Sequence, residues 1–191
     1  MLILGSRLIG TPIMGLQTGS RLAVTKAPII DPSNLKIIAY EVDGPMLVEK
    51  PSLIRIADVR ELSDVGMIID SNDEFIGVED VIAIKKIYSL GFELINLSVT
   101  DEAKHKLGKI VDYSLDTDNF FIQQLNVSRG LLKSLADTEL LIHRSQIIEI
   151  NNRAVIVRAT SKKLEPIVKP AQMTYINPFR SPASQPDSRK A

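Results

Sequence analysis

The segment 53–69, LIRIADVRELSDVGMII, returns 88 positions later as 141–157, LIHRSQIIEINNRAVIV. Leu53 falls on Leu141, Ile54 on Ile142, Val59 on Ile147, Glu61 on Glu149, and Met67-Ile68-Ile69 on Val155-Ile156-Val157. A second block lies upstream, where Asp31-Pro-Ser-Asn-Leu-Lys-Ile37 meets Asp116-Thr-Asp-Asn-Phe-Phe-Ile122 at a shift of 85. The two shifts differ by three residues, so copy two carries a three-residue insertion between the blocks. Surface loops tolerate such insertions. An internal repeat constrains a fold more than any local propensity, because one small unit must be built twice and its two copies must share the burial of their apolar surface.

Each copy reads as short strands separated by turns. Leu35 to Val42 is apolar and is entered through Asp31-Pro-Ser-Asn, where Pro fixes φ and Asp and Asn bond nearby backbone. It leaves through Asp43-Gly44-Pro45. In copy two, 109–115 alternates apolar and polar, turns over Asp116 to Asn119, and returns along 120–127. A second hairpin is expected from 144–150 and 154–158, joined at Asn151-Asn152. Between the copies the period lengthens. In 78–90, VEDVIAIKKIYSL, the apolar spacing predicts a helix of about three turns. Gly91 would cap it in the left-handed conformation, with Phe92 as the apolar partner just beyond. The apolar face of that helix must be buried on one or both copies.

The expected fold is therefore mainly β: two small β-barrels in tandem, with a short helical linker and a disordered C-terminal tail. Residues 1–75 form repeat 1, 76–91 the linker, 92–159 repeat 2 and 160–191 the tail. Five of the ten prolines fall at 166, 170, 178, 182 and 186. Residues 164–176 are expected to lie on the second barrel as an extended arm. Beyond them the chain has too little apolar surface to offset its ordering entropy.

Charge and composition exclude several functions. Net charge is zero, so no overall field draws the chain to nucleic acid or membrane. From Arg158 onward seven Lys and Arg face two acidic residues, giving +5, and residues 1–157 carry −5. The sequence has no Cys, which removes disulfides, thiolate nucleophiles, zinc–thiolate sites and iron–sulfur clusters. The apolar start, MLILGSRLIGTPIMGL, is broken by Arg7, Pro12 and three glycines and does not read as a signal peptide. No run approaches the ~18 apolar residues of a spanning helix. A cytoplasmic protein is expected, with docking on a membrane complex left open.

At this level the residues resemble a family. The string 106–116, KLGKIVDYSLD, with 121–127, FIQQLNV, and 141–147, LIHRSQI, resembles a PRC-barrel domain. Copy one is similar over 18–69 but departs where Gly108-Lys109 of copy two faces Leu22-Ala23. PRC-barrels occur in the photosynthetic reaction centre H subunit and in a ribosome-maturation factor. The resemblance implies an adaptor that holds other proteins, with no catalytic residues to carry over.

Individual sites point the same way. His105 and His143 are the two histidines, and a Ser-His-Asp arrangement could be written with His143 and Ser145. No nucleophile elbow supports it, and neighbouring strand residues face opposite ways. Asp112, Asp116 and Asp118 with Asn119 resemble part of a calcium loop but lack its central Gly and terminal Glu. No catalytic, cofactor-binding or metal-binding residues are assigned. In the tail, Tyr175, Pro178, Phe179 and Arg180 place two aromatic anchors in a basic setting, the make-up of a linear motif for a protein partner. Nucleic acid is expected as a partner only through ribosome association. The sequence leaves three readings: a non-catalytic adaptor or scaffold, a ribosome- or RNA-associated assembly factor, and a small-ligand or metal-binding barrel.

Overall fold

A computed structural model describes residues 1–45, 47–128 and 139–158. The tail residues Tyr175, Pro178, Phe179 and Arg180, and the expected arm 164–176, lie outside the described residues. The described residues belong to one compact unit.

The described chain is mainly β. In the first half, β1 (Leu2–Leu4), β2 (Pro12–Gly15), β3 (Ser20–Asp31), β4 (Lys36–Asp43), β5 (Ser52–Arg55), β6 (Glu61–Ser63), β7 (Gly66–Ile69) and β8 (Phe75–Gly77) precede a short helix, α1 (Ile82–Tyr88). The second half runs β9 (Ser98–Asp101), β10 (Lys106–Asp116), β11 (Ile122–Ser128), β12 (Glu139–His143), β13 (Ile147–Ile150) and β14 (Ala154–Val157). Two sheets result. One has the order β6-β7-β2-β3-β4-β5-β8, the other β13-β14-β9-β10-β11-β12, with β1 added beside β10. Apart from β8 and β1, which have no counterparts among the described strands, the order is the same in both halves, including the parallel pairs β2–β7 and β9–β14. Among the described residues neither sheet closes on itself, since β6 does not pair with β8 nor β12 with β13.

The register repeats residue by residue. Ile30 faces Ile37 and Leu115 faces Ile122, both at the shift of 85. Ala39 faces Arg55 and Gln124 faces His143, where β12 has moved to the shift of 88. The irregularities recur as well: the bulges at Thr25/Ala27 and Ile29/Ile30 in β3 return at Ile110/Asp112 and Ser114/Leu115 in β10. Bulges bend a strand and raise its twist, so both halves curl at equivalent points. Gly108 faces Val99 as Ala23 faces Ile13, so the first hairpin keeps its pairing in both copies although the residues at this position differ.

The repeat reaches further upstream than the two blocks above. The strings Leu4-Gly5-x-x-Leu8-Ile9 and Leu90-Gly91-x-x-Leu94-Ile95 are 86 apart. Leu8 and Leu94 are both buried, and the following Gly10 and Asn96 are both left-handed, at φ 76° and 70°. Their amides donate to Thr25 and Ile110 carbonyls at 2.8 Å each.

Some expectations change. The predicted helix over 78–90 is a 3-10 turn at Val78–Asp80 followed by two turns of α-helix at Ile82–Tyr88. Asp80 accepts from the Gly77 amide at 2.7 Å and closes the short turn, and Val81 is extended at φ −128°, so no continuous helix can form. Gly91 is left-handed, as expected, at φ 56°. Arg144–Gln146 is a 3-10 turn and not part of a strand, the counterpart of Ile56–Asp58 in copy one. Leu35 and Phe120 belong to turns.

Those two turns join the halves. In each, an Asp side chain accepts from the residue two ahead (Asp31 from the Ser33 amide, Asp116 from the Asp118 amide), and Asn34 and Asn119 accept from the Lys36 and Phe121 amides. This network carries Leu35 and Phe120 into the left-handed region, at φ 53° and 58°. Their carbonyls are thereby aimed at the opposite copy. Ile122 donates to the Leu35 carbonyl at 2.9 Å and Ile37 to the Phe120 carbonyl at 3.0 Å. Both side chains are buried in one apolar cluster that takes in residues of both sheets, among them Ile13, Ile37, Leu115 and Ile122. Arg144 spans the junction, donating to the Asn34 carbonyl at 3.0 Å and lying 5.0 Å from the centre of the Phe121 ring.

Two positions test this arrangement by urea denaturation. Phe120→Ala should cost about 3–5 kcal/mol, the range for a buried Phe. Gly108 has φ 153°, and an added Cβ would lie 2.2 Å from the Ser128 carbonyl oxygen. Gly108→Ala should therefore cost at least about 1–3 kcal/mol through strain, whereas Ala23→Gly at the matching position should cost only about 0.5–1 kcal/mol.

Candidate functional site

The histidines do not share a site. His105 is exposed and holds Asp101 through its Nδ1 at 2.9 Å, closing a tight turn. That hydrogen bond keeps the Asp101 carboxyl below the usual carboxylate range. His143 Nδ1 lies 2.8 Å from the Ser145 Oγ and accepts from the Ser145 amide at 3.2 Å. The turn at 144–146, not strand alternation, decides this contact. The same imidazole nitrogen takes both bonds, so the pair serves as a cap for the turn, reinforced by Gln146 Oε1 accepting from the His143 amide.

The three aspartates are likewise engaged by different structures. Asp116 holds its own turn: the Asp118 amide, the terminal ammonium of Met1 and the Asn119 amide group all donate to it, and together they depress its pKa. Asp118 is exposed beside it. Asp112 instead reaches the first half, where its carboxylate accepts from the Ser6 amide at 3.2 Å and the Ser6 hydroxyl at 2.5 Å.

Asp112 marks a cleft between the halves. The two LGxxLI strings approach each other there, with Ala27 and Pro28 from β3 and Val111, Asp112 and Tyr113 from β10 forming the walls. The cleft encloses about 420 Å³. Its backbone comes from equivalent positions in both copies, but its side chains differ. Ala27 corresponds to Asp112, Pro28 to Tyr113 and Ser6 to Phe92. Ile9, Ile95 and Val111 at its rim are 45%, 38% and 46% exposed. Its two charged lining groups, Asp112 and Glu93, are both acidic. Tyr113 is buried against Gly5, where any Cβ would meet the ring at 2.3 Å, so only glycine fits. Burial, with a smaller effect from Asp112, raises its phenol pKa. Burial likewise raises that of Tyr40, whose hydroxyl has no partner among the described residues.

The sequence alone does not point to this cleft, and Asp112 stands out there only as part of an incomplete calcium loop. The signal is present in the identical Leu-Gly and Leu-Ile pairs of the two strings, hidden by the low similarity around them. The chain matches no known protein-family model, and no curated protein matches it.

Asp112→Ala, which installs the residue of the matching position, should lower stability by about 0.5–1.5 kcal/mol, the net worth of an intramolecular hydrogen bond whose partner can turn to water, read by urea denaturation with Ser6→Ala as the companion variant. Acid titration by NMR gives a second check. Asp101 and Asp116 have depressed folded-state pKa values, so their stabilisation is present above the ordinary carboxylate pKa of about 3.9 and is lost as pH falls through the lower folded value. Their midpoints should lie below that ordinary carboxylate value.

Proposed function

We propose that this chain is a non-catalytic protein-interaction module, an adaptor or scaffold built on two PRC-barrel-like repeats and working in the cytoplasm. The repeated strand order, register and bulges support the tandem reading, with each unit an open rather than a closed barrel. No helix among the described residues is long and apolar enough to cross a membrane. The observation that carries the interaction reading is the exposed apolar rim of Ile9, Ile95 and Val111 around the cleft between the repeats. Exposed apolar patches framed by polar surface favour protein contacts. A second reading, a small-ligand site, is favoured by the cleft's volume, which lies within the range of ~300–1,000 Å³ for ligand pockets.

Cross-linking capture with the full chain, a chain ending at Thr160, and an Ile9→Glu/Val111→Glu variant separates these. The adaptor reading expects specific protein partners that are lost with the rim variant while its melting temperature stays within a few degrees. Recovery of no specific protein, with a small molecule retained in native mass spectra, would replace it with the ligand reading.

A further inference from the structure

The two sheets differ at one edge. In copy one, β5 is covered on its outer side by β8, with Ser52 facing Gly77, Leu53 facing Ile76 and Ile54 facing Phe75. Leu53 is fully buried, packed with Ile29, Ala39 and Ile84 of α1. In copy two, β12 stands in the place of β5, and among the described residues no strand pairs with its outer side. Leu141 occupies the place of Leu53 and is 58% exposed. The surrounding face has changed character: Ile29 is matched by Ser114 and Ala39 by Gln124. That face no longer suits an apolar helix such as α1. The edge position, however, has kept its leucine.

We infer that the outer edge of β12 accepts an extended segment of a partner protein, antiparallel, as β5 accepts β8. The inference rests on the protein-interaction reading above and names its surface. An unpaired edge offers a row of backbone donors and acceptors, which supply affinity, while alternate side chains supply selectivity. The segment that fits has an apolar residue opposite Leu141 and an acidic residue just before the paired stretch. The acidic preference follows from charge. In copy one Glu74 precedes β8 and acts on Arg55, whose charged form is held chiefly by Asp58 and further by Glu74. In copy two His143 takes the place of Arg55, and the half-buried Arg144, which also reaches the Asn34 carbonyl, follows it.

The probe is a capped heptapeptide with the sequence of residues 72–78, NDEFIGV, which already satisfies both requirements. It is titrated into the full-length, isotope-labelled chain and followed by NMR. The expected result is a set of shifts centred on Glu139–His143 and the adjoining β11, at least tenfold weaker binding to Leu141→Lys, and tenfold weaker binding of a peptide with Asp in place of its Ile. Because Leu141 is exposed, its replacement leaves folding intact, and the altered peptide needs no variant protein. The inference is overturned if millimolar peptide leaves those resonances unmoved, or if both replacements leave binding unchanged. It is also overturned if the β12 edge in the free chain is already as protected from amide exchange as β5, independently of dilution or only at high concentration. The first result would assign the edge to the chain itself and the second to another copy. A captured partner that Leu141→Lys retains would remove this edge and leave the adaptor reading standing.

Discussion

The reciprocal hydrogen bonds between the Leu35 and Phe120 turns hold the rest of the structure in place. Neither bond would exist if the turns were ordinary. Each depends on an Asp and an Asn that satisfy the local backbone from their side chains, and on a bulky apolar residue forced to positive φ. The left-handed conformation costs roughly 1–2 kcal/mol for a residue with a Cβ. Burial of Leu35 and Phe120 in the shared cluster offsets that cost, since each such side chain contributes ~1.5–3 kcal/mol. The turns thus aim two carbonyls across the junction and drive two side chains into it. One arrangement links the sheets through backbone and through core at the same point.

Much of this is legible in the sequence, for a physical reason. Turn chemistry is local, so Asp31-Pro-Ser-Asn and Asp116-Thr-Asp-Asn can be read as turns, and their spacing can be compared directly. Apolar patterning similarly marks the strands around Ile37 and Ile122. The structure departs from expectation where the outcome depends on partners that patterning does not show. Arg144 to Gln146 looks extended from its neighbours, yet the capping of His143 makes it a turn. The expected helix is too long because Asp80 spends its side chain on the Gly77 amide and Val81 then leaves helical geometry. The cleft stays hidden because its walls come from residues about 86 positions apart whose side chains differ between copies.

The halves are also interleaved rather than merely adjacent. β1 begins the chain yet pairs with β10, Leu2 facing Asp116 and Leu4 facing Ser114. In copy one α1 packs instead on the sheet face, where Ile84 clusters with Ile29, Ala39 and Leu53. One sheet thus gains a strand along an edge and the other a helix on its face. The place of the helix follows the sequence. Ile29 and Ala39 offer an apolar bed for a helix, and Ser114 and Gln124 do not.

The reciprocity of the turn contact bears on how such a chain could arise. Self-complementary contacts of this kind are those of a two-fold homodimer, in which one patch meets its own copy. A single repeat carrying one Asp-x-x-Asn turn could make both bonds with an identical neighbour. In that arrangement every residue on the axis would face itself, and a cleft there would have two matching walls. Joining the copies in one chain lifts the restriction. Position 27 can remain Ala while its counterpart becomes Asp112, and Pro28 can oppose Tyr113. Covalent fusion thus permits a symmetric scaffold to carry a one-handed cleft, with acidity on one wall only.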